Sequence, residues 1–230
     1  GVCQVSTTLY NAVLKAELEV TQRSNHSMIV TYVKPSMDAA IAGDYKDLKF
    51  VNNLDAPIYI EGYTVGKDIY FNIYGQETRP SNRKVTYESE VVSEEDPGTQ
   101  FVATGDAVGS ISTTQGKHMG YVARLWKIVT VDGVEQSRDA INKSTYKSSP
   151  KIVNVGTASA DPNAVAAVNA ALATGDEATI YATVAQYSGA GQTPAETPAE
   201  TPADGSAEAA AILGTVDESQ ITENTTTEGQ

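Results

Sequence analysis

Three side chains near the start of the chain are of the types needed for thiol chemistry: Cys3, His26 and Asp38. Cys3 is the single cysteine in 230 residues, and a helical run begins around it. A thiol at a helix N-terminus meets the positive end of the macrodipole, which favours thiolate over thiol. A nucleophilic thiol also needs a base, and the chain has only two histidines. His26 follows the first helix in Arg23-Ser24-Asn25-His26-Ser27, and Asp38, in Pro35-Ser36-Met37-Asp38-Ala39, is placed to orient its imidazole. Cys, then His, then a carboxylate is a recurring order in thiol acyl transfer. The structural alternative is that Cys3 packs as a small hydrophobe, His26 caps a strand end and Asp38 closes a turn.

Other candidates are weaker. His118 lies in a Gly-flanked loop, Gln115-Gly116-Lys117-His118-Met119-Gly120, with no second metal-type ligand spaced near it. Trp126 and Tyr121, on an expected strand, suit stacking on a sugar ring or plain sheet packing. Gly105-Asp106 and Gly109 read as a turn rather than a phosphate loop. Asn25-His26-Ser27 and Asn142-Lys143-Ser144 match a glycosylation acceptor, a pattern common by chance. No metal site and no cofactor motif is expected.

These residues must be held by a small α+β framework. Val5, Thr8, Leu9, Ala12, Val13 and Ala16 fall on one helical stripe, and Ser6 and Thr7 suit a helix start. Strands are expected at Met28–Val33 and Leu48–Asn52, then at Ile58–Tyr63 and Ile69–Tyr74 as a hairpin around Gly66-Lys67-Asp68. After a polar linker, Gln76–Arg83, the period is two throughout. Lys84–Val92 reads as a strand, Glu94–Gly98 as a turn, and Tyr121–Val131 and Val134–Ile141 flank Asp132-Gly133, a strong hairpin signal. Tyr146–Val155 closes the unit. Asp161-Pro162 caps an Ala-rich helix over about Asn163–Ala173. Three Thr-Pro-Ala-acid repeats over residues 193 to 204 read as a disordered spacer.

The formal charge of -13 is unevenly placed. No Lys or Arg follows Lys151, whereas 11 of the 29 acids do, so residues 1–151 hold all 16 bases against 18 acids. Nucleic acid is therefore an unexpected partner. One cysteine allows no internal disulfide, and no 18-residue apolar run is present to cross a membrane.

"GVCQVSTTLYNAVLKAELEV", "RSNHSMIVTYV", "MDAAI", "DLKFVNN" and "PIYIEGY" together resemble the VanW family of bacterial cell-envelope proteins, with Cys-Gln-x-Ser-Thr-x-Leu-Tyr as the specific core. Where that family usually reads Gly-Arg-Asp-Ala, this chain has Ser36-Met37-Asp38-Ala39, keeping the Asp but not the glycine turn. "YVARLWKIVTVDGVEQSRDAINKSTYKSSPKIVNVGT" resembles a G-five domain, including its closing Val-Gly-Thr. The resemblance implies an α+β fold: an N-terminally truncated VanW-like domain of helix plus antiparallel sheet over 1–76, and an all-β G-five-like module over 77–157. A short Ala-rich helix or linker over 158–189 and a largely disordered acidic tail over 190–230 complete the expected organisation.

It also implies a protein exported by a Gram-positive-type bacterium, outside the cell or at the outer face of its membrane. Membrane contact would come only through an upstream anchor absent from this chain. The implied partner is peptidoglycan or another N-acetylglucosamine-containing wall glycan, gripped by the G-five-like module. Carried over by position, Cys3, His26 and Asp38 are the expected catalytic set, and Gln4, Ser6, Thr7 and Ser27 join Tyr121 and Trp126 as expected binding residues. Two functions follow: a wall-binding protein, or a Cys-His-Asp enzyme performing acyl transfer or hydrolysis on stem peptides.

Overall fold

Helix α1 spans Val2–Lys15, so it starts earlier than the Ser6-Thr7 signal indicates. Its buried face is also rotated from the expected stripe. Ser6, Thr7, Tyr10, Asn11, Val13 and Leu14 are buried, whereas Val5 is 39% exposed. The polar positions can turn inward because the segment around Asp38 supplies partners. Ser6 Oγ donates to Ala39 O at 2.5 Å, Ala39 N donates to Thr7 Oγ1 at 3.0 Å, and Asn11 Nδ2 donates to Met37 O at 2.9 Å. The helix closes with Glu17 N on Leu14 O and Leu18 N on Val13 O, a Schellman pattern whose left-handed position usually takes Gly. Here that position is Glu17, at φ 55°.

The computed structural model describes residues 1–188, so the expected acidic tail lies outside the described residues. Strand β1 (Glu19–Gln22) pairs antiparallel with β2 (Lys49–Val51), and β3 (Tyr59–Val65) with β4 (Asp68–Tyr74) as the expected hairpin. Met28–Val33 is not a strand: residues 23–48 form an irregular excursion whose one ladder contact is the Ala42–Lys46 bridge. Met28, Ile29 and Val30 of that run line a cleft instead of pairing.

Strands β5 (Arg83–Glu95), β8 (Gly120–Val131) and β9 (Val134–Tyr146) form an antiparallel sheet in the order β5-β8-β9. Asp132 and Gly133 turn between β8 and β9 with φ 51° and 79°, both positive as that tight hairpin requires. A second sheet holds β10 (Lys151–Ala158) between β6 (Thr99–Ala107), which runs parallel to it, and β7 (Ile111–Gln115), which runs antiparallel. Within the Val155-Gly156-Thr157 signature, Gly156 lies against the Ala107 carbonyl and 2.8 Å, measured from an ideal Cβ, from Asp106 O. The pairing leaves no room for a side chain there.

Residues 158–188 do more than link. Helices α2 (Pro162–Thr174), capped by Asp161, and α3 (Glu177–Tyr187), capped by Asp176, close over β10. Val168, Ala171, Ile180 and Val184 share one core with Val153 and Val155 of that strand. Each Val or Ile of this core contributes about 1.5–3 kcal/mol when fully buried. Among the described residues, no helix is long and apolar enough to cross a membrane.

A second core joins the two halves of the chain. Tyr10, Leu14 and Ala39 pack on Leu125 of β8, with Tyr87 of β5 at its edge donating to Leu14 O. Beside it, Glu17 meets Arg83 at 2.5 Å, Lys127 at 2.6 Å and Arg79 at 3.2 Å. The Arg83 bond dominates, burial opposes it, and Lys127 and Arg79 add to it, taking the Glu17 carboxyl from 4.5 to about 2. Its folded value is depressed, so its stabilisation is present above about pH 4.5 and lost as pH falls towards 2. Glu17→Gln is expected to cost on the order of 1–2 kcal/mol at neutral pH after allowance for solvent screening. In urea unfolding across pH, that difference should shrink steadily below pH 4.5 and vanish near 2.

Candidate functional site

The centre of the site is the Asp38 carboxylate, fully buried and met by four donors. Oδ1 accepts from Arg23 Nη2 at 2.8 Å and Tyr146 OH at 2.5 Å; Oδ2 accepts from His26 N at 2.7 Å and meets His26 Nδ1 at 2.6 Å. Burial pushes the carboxyl up. The Tyr146 hydroxyl, the His26 backbone and ring, and the Arg23 charge outweigh it and hold it below the usual carboxylate range. With the carboxylate ionised, His26 donates from Nδ1, which leaves Nε2 as the basic nitrogen.

Neighbouring contacts fix the carboxylate in turn. Arg23 Nε donates to Asp38 O at 2.6 Å and Nη1 to Ser144 Oγ at 2.8 Å, with the guanidinium 5.7 Å from the Tyr10 ring centroid. Ser36, two residues before Asp38, sits at φ 67° and is wholly buried. Its N–H donates to Tyr146 OH at 2.7 Å, its Oγ bonds Ser144 Oγ at 2.7 Å, and its carbonyl accepts from Asn142 Nδ2 at 3.1 Å. A left-handed position of the kind that favours glycine is occupied here by a serine, held there by its bonds to β9.

Cys3, partly exposed in the first turn of α1, lines the same cleft as His26. The cleft, of about 390 Å³, is bounded also by Ser27, Ile29, Ile41 and Lys46. Cys3 Sγ donates to Ile41 O at 3.6 Å, and among the described residues no hydrogen bond joins it to His26. His26 Nε2 instead faces the Tyr32 hydroxyl at 3.4 Å. Burial raises the Tyr32 phenol, a Thr7 hydrogen bond lowers it, and its electrostatic coupling to the neighbouring Cys3 and Asp38 raises it further. Of the expected trio, Cys3 and His26 share one cleft and Asp38 is buried behind the imidazole, with a phenol at His26 Nε2 where the thiol was expected.

The other expected site residues divide by burial. Ser27 is exposed at the cleft and accepts from Lys46 Nζ at 3.4 Å. Ser6 and Thr7 are buried and bond the Ala39 backbone, so they position the Asp38 segment. Gln4 is exposed and its carboxamide accepts from the Gly1 amine at 3.1 Å. Tyr121 and Trp126 do not form one platform. Tyr121 pairs with Tyr146 on the face turned to Asp38, whereas Trp126, an odd number of positions on, faces the other way and donates to Glu90 Oε2 at 2.7 Å. His118 is exposed in its loop, bridged to Ser149 through the backbone. Among the described residues no His, Cys, Asp and Glu cluster is arranged to hold a metal ion.

Sequence reasoning missed Tyr32, Ser144 and Tyr146. Tyr32 lies within an expected strand, and Tyr146 is 108 positions from the carboxylate it serves. Its signal is only an inward-facing tyrosine near the end of a long strand.

A family model described as "VanW like protein" matches residues 1–74, and one described as "G5 domain" matches residues 82–158. The chain thus carries a VanW-like segment followed by a G5 domain. The uncharacterized protein YoaR of Bacillus subtilis (strain 168) is 38% identical over 77 residues, which cover 34% of this chain and 25% of that protein. The match therefore spans a quarter of that relative's length. A solved IgA1 protease G5 domain is 26% identical, covering 34% of this chain and 94% of its own, with a TM-score of 0.25. The crystal structure of HP0197-G5 is 20% identical, covering 32% and 99%, with a TM-score of 0.18.

Tyr146→Phe removes a donor from Asp38 and the acceptor of the Ser36 N–H. A loss of about 2–3 kcal/mol at neutral pH is expected. The folded Asp38 value is depressed, so its stabilisation is lost as pH falls through it; removing Tyr146 OH raises that value. In acid titration of folding, the variant should therefore lose structure at a higher pH than the parent.

Proposed function

We propose that the protein works in the bacterial cell envelope and that the Cys3 cleft is a thiol acyl-transfer site for peptidoglycan stem peptides. The observation that carries this reading is that Cys3 and His26 line one cleft while Asp38 holds His26 Nδ1 at 2.6 Å from behind. The cleft also offers Lys46, its Nζ anchored 2.8 Å from Asn25 O, as a cation for a peptide carboxylate.

In the proposed step, His26 Nε2 takes the Cys3 proton and the thiolate attacks the carbonyl carbon of an amide. N–H groups of the first turn of α1 stabilise the oxyanion. The C–N bond breaks, the amine leaves with the proton from His26, and the resulting thioester passes its acyl group to water or another amine. Hydrogen bonds between nucleophile and base commonly form only with substrate in place. The Tyr32 hydroxyl, 3.4 Å from Nε2, is the group displaced as Sγ swings to the ring.

Purified muropeptides should leave an acyl adduct of matching mass on Cys3, detected by intact-protein mass spectrometry. Cys3→Ala should abolish it, and His26→Ala should slow its formation by about 10²–10⁴-fold. Turnover that persists in Cys3→Ala would refute the thiol mechanism.

A second reading, wall-glycan binding by the G5 domain, is favoured by the match over residues 82–158 and by the partly exposed Trp126 beside Glu90. Sedimentation with purified sacculi should retain the protein, and Trp126→Ala should reduce the retained fraction. An unchanged fraction would remove Trp126 from that role.

A further inference from the structure

We propose that the outer face of the β3–β4 hairpin binds a neutral oligosaccharide, independently of the Cys3 cleft and of the G5 domain. The register sets Tyr59 opposite Tyr74, Glu61 opposite Asn72 and Tyr63 opposite Tyr70, and strand alternation puts all six on one face. Tyr59, Tyr63 and Tyr74 are 66%, 42% and 52% exposed. The opposite face carries Ile60, Phe71 and Ile73, and β4 packs on α1. The Phe71 ring lies 2.7 Å from where a Cβ on Gly62 would stand, covering the glycine. Ile60, Phe71 and Ile73 are half-buried, whereas Tyr59, Tyr63 and Tyr74 stand exposed on the other face.

The rings are ordered in pairs. Tyr63 and Tyr70 stack at 5.2 Å and 12°, and Tyr59 and Tyr74 at 6.1 Å and 30°. Cross-strand stacking of this kind helps to hold a two-stranded ribbon, but it gives no reason for a carboxylate between the pairs. Glu61 Oε2 accepts from Asn72 Nδ2 and from Tyr74 OH, each at 3.0 Å, and Asn72 Nδ2 also reaches Tyr74 OH at 3.2 Å. Both bonds go to one oxygen, which leaves Oε1 for a ligand hydroxyl.

Phenol rings at both ends suit the C–H faces of sugar rings, and the acceptors between them suit hydroxyls. The two pairs lie four residues apart, about 13 Å at ~3.3 Å per residue, a span for two or three linked sugars. None of the six residues is cationic, and Glu61 repels anions. A phosphate-rich polymer is therefore disfavoured, as are the chain's own acidic Thr-Pro-Ala-Glu repeats. Tyrosine is a rigid, amphipathic group suited to such contacts at small entropic cost.

The test is NMR titration of the whole chain with a β-1,4-linked N-acetylglucosamine hexamer. Poly(glycerol phosphate) and a synthetic Thr-Pro-Ala-Glu peptide serve as competing probes. Saturable shifts of the hairpin tyrosine rings are expected, with affinity lowered on the order of ten-fold in the Tyr63→Ala/Tyr70→Ala double variant. Glu61→Gln, a surface change that leaves the stacks in place, should also weaken binding and keeps the test valid should the double variant fail to fold. Shifts confined to the Trp126 indole would support the G5 reading and overturn this one. Preferred binding of either acidic probe would overturn it, as would tyrosine shifts that follow protein concentration rather than sugar.

Discussion

A buried negative charge governs the arrangement of this molecule. The Asp38 carboxylate has no exposed surface, and taking such a group out of water costs several kcal/mol unless donors replace the water it loses. Its four donors come from the chain after β1 and from the end of β9, two places far apart in sequence. The irregular excursion over residues 23–48 has almost no ladder bonds of its own. What orders it is this carboxylate, together with the buried polar face of α1 that grips Ala39.

Residues matched by the G5 model therefore complete the structure around Asp38. Ser144 and Tyr146 fix Arg23, Ser36 and Asp38, and Leu125 completes the core under α1. The Glu17 cluster fastens the same junction from the other end of the helix, drawing Arg79 from the connecting segment, Arg83 from the start of β5 and Lys127 from β8. A family boundary between residues 74 and 82 thus runs along the chain but not through the packing.

Two non-glycine residues accept left-handed backbone at these contacts. Glu17 and Ser36 each give up roughly 1–2 kcal/mol of local conformational preference, and each holds bonds that a glycine could not make. Glu17 gains three cations; Ser36 gains a hydroxyl bond to β9. Strain is kept where tertiary contacts overdetermine the conformation.

By itself the sequence determined what depends on neighbours along the chain. The β3–β4 hairpin, the Asp132-Gly133 turn, the Asp161-Pro162 helix cap, and the presence of a thiol, an imidazole and a carboxylate of suitable types all follow from local patterns. Only the tertiary structure decided the rest. Met28–Val33 has strand composition but no partner edge, and Met28, Ile29 and Val30 line a cleft instead. The parallel pairing of β6 with β10, the buried polar face of α1 and the service of Tyr146 to Asp38 each join residues tens of positions apart. Periodicity records which way a side chain turns relative to its neighbours. It carries no record of which distant donor will meet a buried charge, because that match is set by the cost of leaving the charge unpaired in the folded chain.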